Sequence, residues 1–559
     1  MKKTLLLLNF TFCILHAAFC QNPLIKQWDK RFGGTGAEYL HAFKQTKDGG
    51  YILGGFTTSD SSGDKTQNRW GYYDYWVVKT DSLGIKQWDK DFGGTTLDQL
   101  TSIDETADGG YILGGISNSD SSGDKTQASW GNQDYWIVKI DSLGNKQWDR
   151  DFGGTSDDQL WSLQQSNDGG YILGGYSNSG VGGDKTQPCW GQYDYWIVKT
   201  DSFGIKQWDK RFGGTSLDLL EIIRQTSDNG YVLGGYSYST ISGDKTQGNW
   251  DPTSSTSDYW IVKINSIGTK QWDKRFGGLN SDWLFACEQS TDGGFIFGGF
   301  SDSQISGNKT QNTWGGSNDF DYWIVKINSM GNKQWDRDFG GINDEDNLGS
   351  ISQTSEGGYL ISGRSYSNIS GDKTENNLGN NQTWVVKIDS LGIKQWDKTV
   401  RTDTGSGVGI GFGIQINDGC YAIANSTNAG IGGDKTEPNW DTANIHTDYW
   451  IIKFCDSTAT TGISNYQTPN SNFQIFPNPT NDFITVSFTS AKEKNVSVEV
   501  YDLFGREVAN SNYQISNSPV PIPSGNFQIK IDISDFNSGV YIVEIKRGGD
   551  FYRKKIVKM

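Results

Sequence analysis

The sequence predicts an all-β chain: a seven-bladed β-propeller closed by its own N-terminal strand, followed by a small Ig-like β-sandwich. Three observations carry this. The tetrapeptide Lys-Gln-Trp-Asp occurs seven times, with its tryptophan at Trp28, Trp88, Trp148, Trp208, Trp272, Trp335 and Trp396, at steps of 60 to 64 residues. A second signature, Asp-Tyr-Trp, keeps the same period at Trp76, Trp136, Trp196, Trp260, Trp323 and Trp450, with a Gln-Thr-Trp variant at Trp384. The two are out of phase: the first Lys-Gln-Trp-Asp precedes every Asp-Tyr-Trp, and none follows the last. Such an offset fits a closed ring better than a capped solenoid.

The elements follow in chain order. Lys2 and Lys3, an apolar run through Leu5–Leu8 and Ala18-Phe19-Cys20 read as a signal peptide over 1–20. The propeller is placed at 21–456, and its third copy shows one unit. Leu160–Ser166 reads as a first strand, Asn167-Asp168-Gly169-Gly170 as a tight turn, and Tyr171–Ser177 as a β-rich second strand. A long loop with Gly183-Asp184-Lys185-Thr186 precedes a third strand, Asp194–Thr200. The turn Asp201-Ser202-Phe203-Gly204 then leads into a fourth, Ile205–Phe212. Four antiparallel strands make one blade. Leu24–Phe32 is a fourth-type strand without a blade, and the last blade ends near Cys455 without a fourth strand, so the N-terminal strand is expected to complete blade seven.

The turn glycine and tryptophan recur as Asp-Ser-x-Gly-x-x-x-Trp, for example Asp81, Gly84 and Trp88. This run resembles the tryptophan-docking motif of quinoprotein dehydrogenases, with a turn one residue shorter. The resemblance implies tryptophans wedged between neighbouring blades.

Residues 457–472 read as a Thr/Ser/Asn-rich linker. From 473 the text changes to Phe476-Pro477-Asn478-Pro479, Tyr501-Asp502-Leu503-Phe504-Gly505-Arg506, Ser538-Gly539-Val540-Tyr541 and Lys554-Lys555-Ile556-Val557. In order and spacing these motifs over 473–559 resemble the type A C-terminal sorting domain of the bacterial type IX secretion system. The resemblance implies a Gram-negative protein that is secreted or held at the outer-membrane surface, with the type IX machinery as one partner.

The net charge of −16 disfavours nucleic acid and anionic membranes as partners. After the signal no stretch reaches the roughly 18 apolar residues of a membrane span. Cys189, Cys287, Cys420 and Cys455 do not match from repeat to repeat and predict no disulfide framework. Beyond the signal the histidines are His41 and His446, at unrelated repeat positions, which suggests neither a zinc site nor a Ser/His/Asp system.

Candidate site residues come from comparing the repeats. An acid recurs just before strand one at Glu38, Asp98, Asp158, Asp218, Asp282 and Asp346, with Val408 in blade seven. Six carboxylates are therefore expected around the channel mouth. Their repulsion would be offset by the loop lysines, such as Lys65, Lys125 and Lys185, by backbone amides, or by a cation such as Ca²⁺ or a basic ligand. Three residues after each acid the text varies, as His41, Thr101, Trp161, Glu221, Phe285, Gly349 and Gly411, while its neighbours barely change. Among these, His41, Trp161, Glu221 and Phe285 are the candidate ligand-face positions. The expectation is a non-catalytic propeller that binds an extracellular protein or glycan through its long-loop face, with no cofactor firmly implied. The alternatives are a propeller-based enzyme, either a quinoprotein dehydrogenase or one acting on polysaccharide, and a structural surface-layer component.

Overall fold

The computed structural model describes residues 24–316, 319–342, 346–403, 408–456 and strand segments between 474 and 558. The expected signal peptide and the 457–472 linker lie outside the described residues. The chain divides into two compact units, Met1–Cys455 and Asp456–Met559. Among the described residues every regular element is a strand.

The first unit is a seven-bladed propeller. Six blades are continuous four-stranded antiparallel sheets, and the seventh orders the strands Leu24–Phe32, Asp448–Asp456, Tyr421–Thr427 and Phe412–Gln415, so the N-terminal strand does close the ring. In blade three the strands run Asp158–Gln165, Tyr171–Ser177, Asp194–Thr200 and Lys206–Phe212. The first begins two residues before the expected Leu160, because Asp158 already pairs with Ser177. First strands of neighbouring blades touch around the axis, and fourth strands form the rim.

The core lies between blades. One buried cluster joins Ile112, Tyr135 and Phe152 of blade two to Leu160, Tyr171 and Trp196 of blade three. The paired glycines of strand two permit two close approaches, one to the next blade and one within their own. A Cβ on Gly114 would lie 2.2 Å from the Leu163 side chain of the next blade, and one on Gly115 would lie 2.0 Å from the Gln99 carbonyl.

Each repeated motif has a place in a lock between or within blades. The Asp-Tyr-Trp tryptophans are the fully buried ones. Tyr75 packs at a tilt against Trp136 of the next blade, ring centroids 4.8 Å apart, and donates its hydroxyl to that residue's carbonyl at 3.0 Å. The same bond from Tyr449 to the carbonyl of Trp76, at 3.2 Å, joins blade seven to blade one. The Lys-Gln-Trp-Asp tryptophans do wedge between blades, Trp148 against Tyr171 at 5.8 Å, but they are only half-buried. Their turn glycine acts on a different indole than expected. Gly204, with φ of +75°, leaves room for Trp148 of the preceding blade, since a Cβ there would lie 2.8 Å from that ring.

A buried carboxylate ties all three motifs together. Asp149 accepts hydrogen bonds from the Trp136 indole at 3.1 Å, from the Thr126 amide at 2.9 Å and from the Thr126 hydroxyl at 2.9 Å, and pairs with Lys146 at 2.8 Å. The equivalent tryptophan bond is made in all seven blades, by Asp29, Asp89, Asp149, Asp209, Asp273, Asp336 and Asp397. The loop glutamine covers the exposed edge strand, as where Gln127 accepts from the Asp151 amide at 3.1 Å.

Cys420 and Cys455, 35 residues apart, form a disulfide between neighbouring strands of blade seven. This corrects the sequence expectation, which looked for cysteines matched between repeats, whereas this pair lies within one blade. Closing a loop of that length restricts the unfolded chain by roughly 3–4 kcal/mol. Replacing both cysteines with serine is expected to lower the urea midpoint of the propeller, and reduction of the wild type should lower it similarly.

In the second unit, two antiparallel sheets contribute Ile484, Val486, Val498, Val500, Ile531, Val543 and Ile556 to one buried cluster.

Candidate functional site

The axial channel is lined by strand-one residues of all seven blades and encloses about 520 Å³. Its side chains reach the axis because of a register shift. In blades one to six the ladder between strands one and two is interrupted by one unpaired residue, at His41, Thr101, Trp161, Glu221, Phe285 and Gly349. A bulge releases one residue from the ladder and re-aims its side chain. All six line the channel, and blade seven contributes Ile410 and Phe412. The four candidate ligand-face positions are thus brought together.

The six acids are not. Glu38, Asp98, Asp158, Asp218, Asp282 and Asp346 are each fully buried and are absent from the channel lining, which corrects the expected ring around its mouth. Each starts strand one ahead of the bulge and turns into its own blade. Asp158 accepts from the Gly154 amide at 2.7 Å and the Ser179 hydroxyl at 2.8 Å, and Glu38 repeats this with Gly34 at 3.1 Å and with Ser59. The repeated acid therefore fastens the Gly-Gly segment that leaves strand four of the preceding blade to the long loop of its own blade. The loop lysines pair mainly elsewhere: Lys65 with Asp91, Lys125 with Asp151 at 2.5 Å, and Lys309 with Asp338. Among the described residues no group of three or more His, Cys, Asp or Glu is placed to hold a metal ion.

Burial raises these acids, Asp158 and Asp346 to about 6, Asp282 to about 7 and Glu38 to about 8. A carboxyl with a raised folded pKa holds its proton more tightly when folded. Its stabilisation is complete below its unfolded pKa near ~4 and is lost as pH rises through the folded value. The strand-four aspartates run the other way: burial opposes ionisation of Asp149, but hydrogen bonds from Lys146, Thr126 and Trp136 outweigh it and lower the pKa. Their stabilisation is present above ~4 and is lost in acid. The melting temperature is therefore expected to peak near pH ~4–6 and to fall toward pH ~8–9; a calorimetric pH series showing a flat or rising profile from 6 to 9 would contradict this.

The long loops interlock and thereby account for their repeated text. The Asp124 amide donates to the Gly93 carbonyl of the preceding blade at 2.7 Å, and the Trp70 indole reaches back to the Asp124 carboxylate at 3.1 Å. Trp70, Trp130 and Trp190 keep an exposed ring face on this side of the propeller.

Aromatic side chains border the channel at the same end. Tyr39 stacks on Phe56 at 4.8 Å, His41 on Phe56 at 5.3 Å, Trp161 on Tyr176 at 6.2 Å and Phe285 on Phe300 at 5.0 Å. Phe56, Tyr176 and Phe300 lie at the strand-two ends that lead into the long loops. Toward the short-turn end the lining is charged. Lys44 pairs with Asp104 at 2.5 Å, and Arg224 lowers the Glu288 carboxyl, whose pKa burial raises. Between these levels sits Glu221, which among the described residues has neither a hydrogen-bond nor an ion-pair partner, and burial lifts its carboxyl to about 8. His41 is pressed down to about 4 by burial, so neither it nor Glu221 is charged at neutral pH in the empty channel. Sequence comparison singled out these positions; the bulge that turns them inward leaves no mark in the text.

Residues 474–559 match the family described as Secretion system C-terminal sorting domain. The protein is thus exported through the type IX system and is secreted or attached at the outer-membrane surface. A search of curated proteins returns no match. Among solved structures the chain is similar to a Synechocystis apocarotenoid oxygenase at 8% identity and TM-score 0.36, covering 90% of this chain and 96% of that one. It is similar to a duf4221 family member from Bacteroides vulgatus at 10% identity and TM-score 0.30, over 66% of this chain and 99% of the other. A subtype N10 neuraminidase-like protein of A/little yellow-shouldered bat gives 8% identity and TM-score 0.29, over 77% and 100%. Likenesses this loose have no bearing on activity.

Proposed function

We propose that this exported propeller is a non-catalytic binding protein that takes an extracellular protein or glycan at the long-loop mouth of its axial channel. One observation carries the reading. The motifs that repeat are absorbed by locks within and between blades, whereas the positions that differ, His41, Thr101, Trp161, Glu221 and Phe285, converge on one channel. Symmetry is broken there most fully, with a different residue in each of blades one to six, as expected where a ligand rather than the fold selects the residue.

The test is binding of the exported protein to glycan and extracellular-protein arrays, with Trp161→Ala, Phe285→Ala and the loop variant Trp70→Ala alongside. Hits lost in the two channel variants and kept in Trp70→Ala support the channel. Hits insensitive to both channel variants overturn it. Mass spectrometry of each bound ligand before and after incubation addresses the enzyme alternative, since a changed mass would replace binding by turnover.

A further inference from the structure

The charge balance of the channel points to the chemistry of what enters it. Near the short-turn end the charges answer one another, with Lys44 on Asp104 and Arg224 facing Glu288. The Arg224 guanidinium also donates to the Ile223 carbonyl at 3.0 Å and the Ser162 hydroxyl at 3.4 Å. Among the described residues Glu221, at the bulge level, has no cation and no donor. Trp161 and Phe285 occupy the equivalent positions of the flanking blades, and both line the channel. Behind them stand Tyr176 and Tyr236. Tyr236 lies 6.1 Å from Phe285, and Tyr176 6.2 Å from Trp161.

A lone carboxylate among aromatic rings is poorly suited to a saccharide, whose many hydroxyls need partners that Phe285, Ile410 and Phe412 do not offer. It suits a cation on an apolar body. The rings present negative faces to the cation and apolar surface to its stem, while Glu221, which burial keeps protonated at neutral pH, gives up its proton to neutralise it. Resting on the reading of the channel as the ligand site, we propose that Glu221, walled by Trp161, Phe285, Tyr176 and Tyr236, binds the ammonium group of an organic amine, one ion per propeller. The amine is either a free molecule or the lysyl side chain of a peptide.

Isothermal titration of the full exported chain tests this with phenethylammonium, its neutral analogue phenethyl alcohol, anionic 3-phenylpropanoate and the peptide acetyl-Ala-Lys-Ala-amide. Phenethylammonium should bind with a stoichiometry of one, at least about tenfold more tightly than the alcohol, a ratio equivalent to ~1.4 kcal/mol, and Glu221→Gln should erase that preference. Tighter binding of the lysyl peptide than of free phenethylammonium assigns the amine to a protein; the reverse assigns it to a small molecule. Equal affinity for ammonium and alcohol, an unchanged preference in Glu221→Gln, or no binding of either cation overturns the proposal. If the alcohol or the anion binds and Trp161→Ala abolishes that binding, the ammonium inference fails while the channel reading stands. If the cations bind equally to wild type, Glu221→Gln and Trp161→Ala, the channel reading fails with it. Unchanged melting of both variants confirms that each is folded.

Discussion

A chain lacking residues 24–32 is expected to lose the folded propeller altogether rather than to fold with six intact blades and one frayed one. This strand completes the sheet of blade seven and also fastens blade seven to blade one. Within its own sheet Asp29 accepts from the Trp450 indole at 3.0 Å and from the Thr436 amide at 2.9 Å. Across the junction Trp28 packs edge-on against Tyr51 at 5.8 Å, and Arg31 pairs with Asp64 of the first blade at 3.0 Å. Removal would bare the edge of the strand Asp448–Asp456 and strip one wall from the junction with blade one. An open ring has two unpaired faces in place of none, and exposed strand edges recruit other chains. Size-exclusion chromatography should show aggregate, and circular dichroism no cooperative melt. Adding a synthetic peptide of residues 24–32 during refolding should restore part of the monomer, because the strand binds without covalent connection. A soluble monomer melting like the wild type would show that the closing strand is dispensable.

The parts of this fold that could be read from the sequence are those governed by period. Second and third strands, such as Tyr171–Ser177 and Asp194–Thr200, and the closing strand Leu24–Phe32 lie where alternation and motif spacing put them. Burial was less legible. Trp136 and Trp148 recur with equal regularity, yet the first is fully buried and the second only half, because strand three lies inside the sheet and strand four forms its rim. Repetition marks a residue the fold needs without saying whether it faces neighbour, core or channel. For the same reason Asp158 read as a channel residue: its sequence position is right for one, but the strand turns its side chain into the blade, and only after the bulge at Trp161 does the chain address the axis. Variation was the better guide to the channel. His41, Trp161, Glu221 and Phe285 stood out because nothing structural holds them constant, and strand one being innermost brings them together.

Replacement of Asp149 with alanine is the other change expected to have a large effect, and it separates the two kinds of tryptophan. The carboxylate is the shared acceptor for the Trp136 indole, the Thr126 amide and hydroxyl, and the Lys146 ammonium. Alanine would leave the Trp136 indole and both Thr126 donors without this acceptor at a site that is 1% exposed, and Lys146 with the Asp124 carbonyl in place of a charge partner. Each unsatisfied buried donor costs about 1–3 kcal/mol, and breaking a buried ion pair on one side costs about 3–5 kcal/mol. These terms overlap, so a total of about 4–5 kcal/mol is expected. Trp136→Ala should fall in the same range, ~3–5 kcal/mol, since a fully buried indole is removed. Trp148→Ala, one residue from Asp149 in sequence but half-exposed on the rim, should cost about half as much, ~2 kcal/mol. Asp149→Asn keeps an acceptor for the indole but loses the charge that answers Lys146, and should lie between the two. Urea denaturation of the four variants ranks them directly. If Trp148→Ala proved the most damaging, the wedge between blades, and not the carboxylate that joins the three motifs, would be the main source of blade stability.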